Sequence, residues 1–160
     1  MHAALTADQH AAIERALATH RDQAGALLPL LHAVHDALGH VPPAAVPMLA
    51  VALNLSRAEV HGVITYYSHF RDAPPGRHVV QVCRAEACQA CGADELLAHA
   101  ERVLACAPGS TRADGAVSLE AVYCLGLCAS SPALQIDDQL HARMTPERLS
   151  QLARDLDAAA

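Results

Sequence analysis

Two short segments rich in valine, residues 78–83 and 117–123, each run straight into a cysteine, and a helical segment lies between them. That order constrains the chain more than any other feature. Parallel strands need a crossover connection of a dozen or more residues. Residues 93–106 supply one, with Leu96, Leu97, Ala100, Val103 and Leu104 on one helical face. If the two strands are parallel neighbours, both finish at the same sheet edge. The loops leaving that edge carry Cys83 and Cys88, and Cys124 and Cys128. Topology alone then brings four sulfurs together.

The rest of the chain falls into two halves. Up to about residue 70 the pattern is helical. Thr6 with Gln9 forms a capping-box signature ahead of Ile13, Ala16 and Leu17. Leu27, Leu28, Leu31, Val34 and Leu38 recur at helical spacing, Pro29 fits a first turn, and Gly39 is a natural stop. Pro42-Pro43 turns into a short helix over 44–53, and Ser56 with Glu59 opens another that ends near Tyr66-Tyr67. Asp72-Ala73-Pro74-Pro75-Gly76 reads as a linker. Beyond the second cysteine pair, residues 133–136 and 139–143 predict a hairpin. Thr145-Pro146 opens a last helix with Leu149, Leu152 and Leu156 inward. The expected fold class is α+β, with a helical lobe over residues 1–75 and a small α/β domain over 76–160.

Composition removes some functions. The net charge is −6 and aromatics are only 2%. The chain therefore lacks the basic face and the stacking rings that nucleic-acid binding uses. No apolar run approaches the roughly 18 residues of a membrane span. The N-terminus lacks the basic-then-apolar pattern of a signal peptide. A cytoplasmic location is expected, and in a reducing cytosol six cysteines read as metal ligands or redox groups.

The spacings are Cys83-x4-Cys88 and Cys124-x3-Cys128. Two pairs on converging loops suit an iron–sulfur cluster, with Gly126 letting backbone N–H groups approach the sulfurs. Three other patterns compete. Cys83-x4-Cys88-x2-Cys91 matches the opening of a plant-type ferredoxin, but it leaves one of the second pair without a role. A zinc ribbon prefers two C-x-x-C knuckles. Cys88-x-x-Cys91 has dithiol spacing, yet a dithiol needs no second pair. The two-pair iron–sulfur arrangement is favoured, with Cys91 expected as a small buried residue at a helix start. If residues 91–106 form one helix, Cys91 and Cys106 lie ~22 Å apart, too far for a disulfide, and Cys106 is core packing. His32, His35, His61 and His69 have no acidic partner at metal-motif spacing and read as surface or interface histidines. Tyr66, Tyr67 and Phe70 read as core, with a docking surface as the sharper alternative.

At these residues the chain resembles the thioredoxin-like [2Fe-2S] ferredoxin family, which includes the 24-kDa subunit of respiratory complex I. The likeness covers about residues 25–145. It includes Leu30-Leu31-His32-Ala33-Val34, Gly39-His40-Val41-Pro42 and Gly62-Val63-Ile64-Thr65-Tyr66-Tyr67-Ser68-His69-Phe70. Within the family, Val82-Cys83-Arg84-Ala85-Glu86-Ala87-Cys88-Gln89-Ala90 and Val122-Tyr123-Cys124-Leu125-Gly126-Leu127-Cys128 look most like the gamma subunit of soluble, molybdenum-dependent, NAD-linked formate dehydrogenase. Cys91 departs from that pattern.

The resemblance implies a thioredoxin-like α/β domain and a [2Fe-2S] cluster on Cys83, Cys88, Cys124 and Cys128. It implies docking of the helical lobe on a larger beta subunit carrying FMN, a [4Fe-4S] cluster and the NAD site, beside a molybdenum-containing alpha subunit. The chain would be a non-catalytic electron-transfer subunit of an oxidoreductase. Complex I and NAD-linked hydrogenases are the alternative hosts, and a zinc-stabilised interaction module is the remote one. Arg84, next to Cys83, is expected to favour the reduced cluster.

Overall fold

Thr6 starts the first helix through a complete capping box. Its hydroxyl accepts the Gln9 N–H at 3.2 Å, and the Gln9 side chain accepts the Thr6 N–H at 3.0 Å. The computed structural model describes residues 4–158 and divides the chain into two units, Met1–Pro74 and Pro75–Ala160. In the first, α1 (Ala7–His20) is followed by α2 (Leu27–Leu38), a 3-10 turn (Pro43–Ala45), α3 (Val46–Leu53) and α4 (Arg57–Tyr66). Gly39 closes α2 in the left-handed region at φ 73°. Ser56 and Glu59 form the second capping box, each such cap contributing about 1 kcal/mol.

The lobe's core follows from these faces. Ile13, Leu30, Leu31, Val34, Leu49, Val60 and Phe70 bury together. His35 joins them at 6% exposure. Burial first, then the charges of His69 and Arg71, lower its pKa to about 4. Of the aromatic trio, Phe70 is core within this lobe, whereas Tyr66 is 81% exposed and Tyr67 42%. Two rings expected inside therefore face out.

The second unit holds β1 (His78–Cys83), α5 (Glu86–Ala90), α6 (Ala93–Leu104), β2 (Ser110–Thr111), β3 (Val117–Val122), β4 (Leu134–Ile136), β5 (Gln139–His141) and α7 (Pro146–Ala158). The sheet order is β2-β3-β1-β4-β5. β1 and β3 are parallel, with His78 opposite Val117 and Cys83 opposite Val122, as their shared crossover α6 requires. β4 lies antiparallel on the other side of β1. Val80, Val82, Leu119 and Leu134 bury against Leu96, Ala100, Leu104 and Leu149 from α6 and α7. Gly76 fits where a Cβ would sit 2.8 Å from the Val117 backbone, and its N–H donates to the Ser118 hydroxyl at 2.7 Å.

Two local expectations fail. α6 stops at Leu104 because Ala105 turns left-handed at φ 50°. Ser110–Thr111, which the sequence pattern does not mark, forms a short edge strand on β3. Residues 84–87 are not a simple loop, since α5 begins at Glu86 and places Cys88 inside a helix. Among the described residues, no helix is long and apolar enough to cross a membrane.

Candidate metal centre

The parallel register sets the site. The Arg84 N–H donates to the Val122 carbonyl at 2.7 Å, extending the β1–β3 ladder by one step. Cys83 therefore ends β1 beside the point where β3 releases its chain toward Cys124. On the other side of β1, the Cys83 N–H donates to the Ala133 carbonyl at 3.1 Å. Three segments meet at one sheet edge: the β1–α5 turn, the β3 loop and the stretch Ser131–Ala133.

The four sulfurs form two pairs. Cys83 and Cys88 perturb one another's ionisation, as do Cys124 and Cys128, and Cys128 also feels the charge of Cys88 and Cys83. Cys83 and Cys88 are each 2% exposed and pack with Ala93 and Ala133, while Cys124 and Cys128 face solvent. Burial pushes the Cys83 thiol up, against the hydrogen bonds of the Ala85 and Leu125 backbones. Burial also opposes ionisation of Cys88. The Ser131 hydroxyl, Cys83 and the Ala133 backbone outweigh it and lower that thiol. The partnership with Cys124 raises Cys128.

The donor set fits a binuclear cluster. Backbone groups of Ala85, Leu125 and Ala133 face the inner sulfurs, and the Gly126 N–H donates to the Cys124 sulfur at 3.3 Å. Such donors offset the charge that four thiolates bring to a cluster. The Ser131 hydroxyl lies 3.4 Å from the Cys88 sulfur and donates to the Cys128 carbonyl at 2.9 Å, bridging the two pairs. Among the described residues, no three of these sulfurs lie within 4.8 Å of one another. A tetrahedral zinc, with Zn–S ~2.3 Å, would need all four at about 3.8 Å separations.

The remaining cysteines lie apart from this set. Cys91 caps the far end of α5 and is exposed, not buried as its sequence position suggests. Because α5 and α6 are separate helices, the axial distance expected between Cys91 and Cys106 does not apply. Cys106 is buried and donates to the Ser110 carbonyl at 3.2 Å. Arg84 turns to the first turn of α6, where it pairs with Asp94 at 2.9–3.0 Å. A second cluster has no signature in the sequence. Ligand atoms of His35, Asp36 and His69 gather within 4.8 Å of one another.

Known proteins resemble this chain along most of its length. The family model described as "Thioredoxin-like [2Fe-2S] ferredoxin" matches residues 13–157. An NADH-quinone oxidoreductase subunit of Rhizobium meliloti (strain 1021) is 35% identical over 92% of this chain and 88% of its own length. The corresponding NADH-quinone oxidoreductase subunit of Escherichia coli (strain K12) is 34% identical over 92% of this chain and 89% of its own. Among solved structures, an NAD+-reducing [NiFe]-hydrogenase in the air-oxidized state superposes with a TM-score of 0.68 at 25% identity. The match covers 88% of this chain but only 24% of that one. The chain belongs to the thioredoxin-like [2Fe-2S] ferredoxin family, and its cofactor is a [2Fe-2S] cluster.

Proposed function

We propose that Cys83, Cys88, Cys124 and Cys128 hold the cluster and that the chain is the electron-carrier subunit of an NAD-linked, multi-subunit oxidoreductase. The observation that carries the ligand set is the convergence of two cysteine pairs on one sheet edge, with backbone N–H groups turned toward the sulfurs. When bound, the cluster supplies a one-electron couple. The chain's own residues set its surroundings. Cys83 and Cys88 anchor one side in packed protein, and the Gly126 N–H stabilises negative charge on sulfur, as the Ser131 hydroxyl does when its proton turns from the Cys128 carbonyl to Cys88. Tyr123, 69% exposed beside Cys124, offers a contact where a partner's redox centre approaches.

The relatives named above are parts of NADH-quinone oxidoreductase and of an NAD+-reducing hydrogenase. They favour a host of that kind ahead of the formate dehydrogenase suggested by the two cysteine loops. In each host the partner would carry FMN, a [4Fe-4S] cluster and the NAD site, and a molybdenum subunit belongs to the formate case alone. The helical lobe would dock on that partner, using exposed Tyr66 and the groove lined by Leu27, Leu55, Val63 and Tyr67.

Affinity purification of this chain from its native cells, with metal and flavin analysis, tests the assignment. The expected result is co-purification with flavin and NADH-oxidising activity. Nickel would mark a hydrogenase, molybdenum a formate dehydrogenase, and neither a quinone-linked enzyme. A chain that elutes alone with its cluster overturns the assignment to a larger complex.

A further inference from the structure

We propose that the helical lobe binds a second metal, a divalent ion of the zinc class held by His35, Asp36 and His69. The site is independent of the cysteine-held cluster, since it lies in the other unit and uses different donors. Its parts come from distant sequence. α2 buries Leu30, Leu31 and Val34, which carries His35 inward while Asp36 stays at the surface. After α4 the chain turns back, the Phe70 N–H donating to the Tyr67 carbonyl at 3.1 Å. The Val41 N–H then donates to the Arg71 carbonyl at 2.8 Å, tying that turn to the segment after α2. His69 is thereby delivered beside His35, with ring centroids 4.6 Å apart.

Two imidazoles and one carboxylate, all within 4.8 Å, suit zinc, nickel or copper. Calcium and magnesium prefer all-oxygen shells. His32 lies one turn earlier on α2, its ring centroid 5.0 Å from that of His69, but it falls outside the set whose ligand atoms gather within 4.8 Å. Phe70 packs against these rings at 5.1–6.1 Å and walls one side of the site from solvent. One group opposes binding. The Arg71 guanidinium lies 3.4 Å from Nε2 of His35, so an incoming cation must displace it. A bound ion would cross-link α2 to the turn after α4, and an ion held only by the folded form stabilises it.

The test uses the full chain with its cluster loaded, equilibrated in chelator-buffered zinc, with zinc and iron counted together. The expected result is a single equivalent of zinc taken up without loss of iron, and a thermal midpoint that rises with zinc. Asp36→Asn and His69→Ala, both at exposed positions, should each weaken zinc binding about tenfold or more and abolish the thermal shift. Arg71→Gln should bind zinc more tightly than the wild type, a gain that scattered surface histidines would not show. Zinc uptake unchanged in both ligand variants overturns the site. So does no uptake at micromolar free zinc, or uptake that occurs only as iron leaves.

Discussion

The two cysteine arms are built differently, and the difference shows which parts of the site are rigid before any metal arrives. Cys83 and Cys88 sit on a strand end and inside a short helix, packed with Ala93 and Ala133. Their positions are set by the same core that holds the sheet together. Cys124 sits on an exposed loop shaped by backbone geometry, with Cys124 at φ 134° and Gly126 at φ 77°, and exposed Cys128 opens the 3-10 turn Cys128–Ser130. One arm is fixed by packing and the other by main-chain conformation and a hydrogen bond to sulfur. Solvent and oxidants reach the second arm first.

The largest consequence concerns ligand replacement. Serine can ligate iron through oxygen, but with a shorter bond that the surrounding chain must follow. The loop arm can move, and the packed arm cannot without opening the cavity cost of a core site. Cys83→Ser and Cys88→Ser are therefore expected to yield protein with no [2Fe-2S] absorption or EPR signal. Cys124→Ser and Cys128→Ser should retain an altered cluster of shifted spectrum, and Cys91→Ala should leave the spectrum unchanged. Anaerobic purification with UV–visible and EPR spectra decides it. A cluster that survives Cys83→Ser and not Cys128→Ser would reverse the contrast between the arms.

Two glycines sharpen the contrast in energy. Gly76 precedes β1, and a Cβ there would press to 2.8–2.9 Å against the Val117–Ser118 backbone. Relief requires the starts of β1 and β3 to part, at the opposite end of the pair from Cys83 and Val122. Gly76→Ala should cost about 1–3 kcal/mol. At Gly126 a Cβ meets nothing within 4 Å, so Gly126→Ala should cost only the left-handed strain of about 1 kcal/mol. Urea titration separates these values. Chelator-driven bleaching should be faster in Gly126→Ala, because its strain falls on the loop arm alone. Equal unfolding costs would mean that the strand start yields more than its contacts suggest.

The extent to which this molecule can be read from sequence follows the same division. The capping boxes, the strand 78–83 and the parallel pairing across α6 all rest on local periodicity plus one topological rule. Hence the meeting of two cysteine-bearing turns at one sheet edge is legible. Short elements are not. α5 spans five residues and β2 two, too few to show a period, so the sequence pattern places Cys88 in a loop and Cys91 in a core. The β3 ending at Val122 and the outward Tyr66 depend on neighbours far along the chain. The gathering of His35, Asp36 and His69 is the clearest such case. Its carboxylate neighbours one histidine directly and its other histidine arrives only through a tertiary turn, which no spacing motif encodes.

Ser131 links the arms, and its removal should have a moderate effect. Its hydroxyl can donate to the Cys88 sulfur at 3.4 Å or to the Cys128 carbonyl at 2.9 Å. A hydrogen bond to sulfur favours the more negative, reduced state. Ser131→Ala is therefore expected to lower the midpoint potential. A bond of about 0.5–1.5 kcal/mol corresponds to about 20–65 mV for one electron. A redox titration by EPR reads the shift. An unchanged potential would mean that the hydroxyl stays on the Cys128 carbonyl and supports only the backbone of the exposed arm.

The smallest effect tests Arg84, whose charge follows Cys83 directly in sequence. A lone guanidinium there would favour the reduced cluster, and Arg84→Ala would lower the potential. The structure gives that charge a partner, since Asp94 on the first turn of α6 accepts from Arg84 at 2.9–3.0 Å. Opposite charges so close act on a distant site as a dipole, and Asp94 is well exposed, so water screens both. Each single change should therefore move the potential by only about 10–40 mV, the scale of a surface pair worth roughly 0.2–1 kcal/mol. The signs differ. Arg84→Ala removes a positive charge and lowers the potential, whereas Asp94→Asn frees that charge and raises it. The double variant should return close to the wild-type value. If Arg84→Ala and the double variant fall together, Asp94 does not hold the guanidinium in solution. Arg84 then belongs with the packed arm as an electrostatic element of the cluster's surroundings.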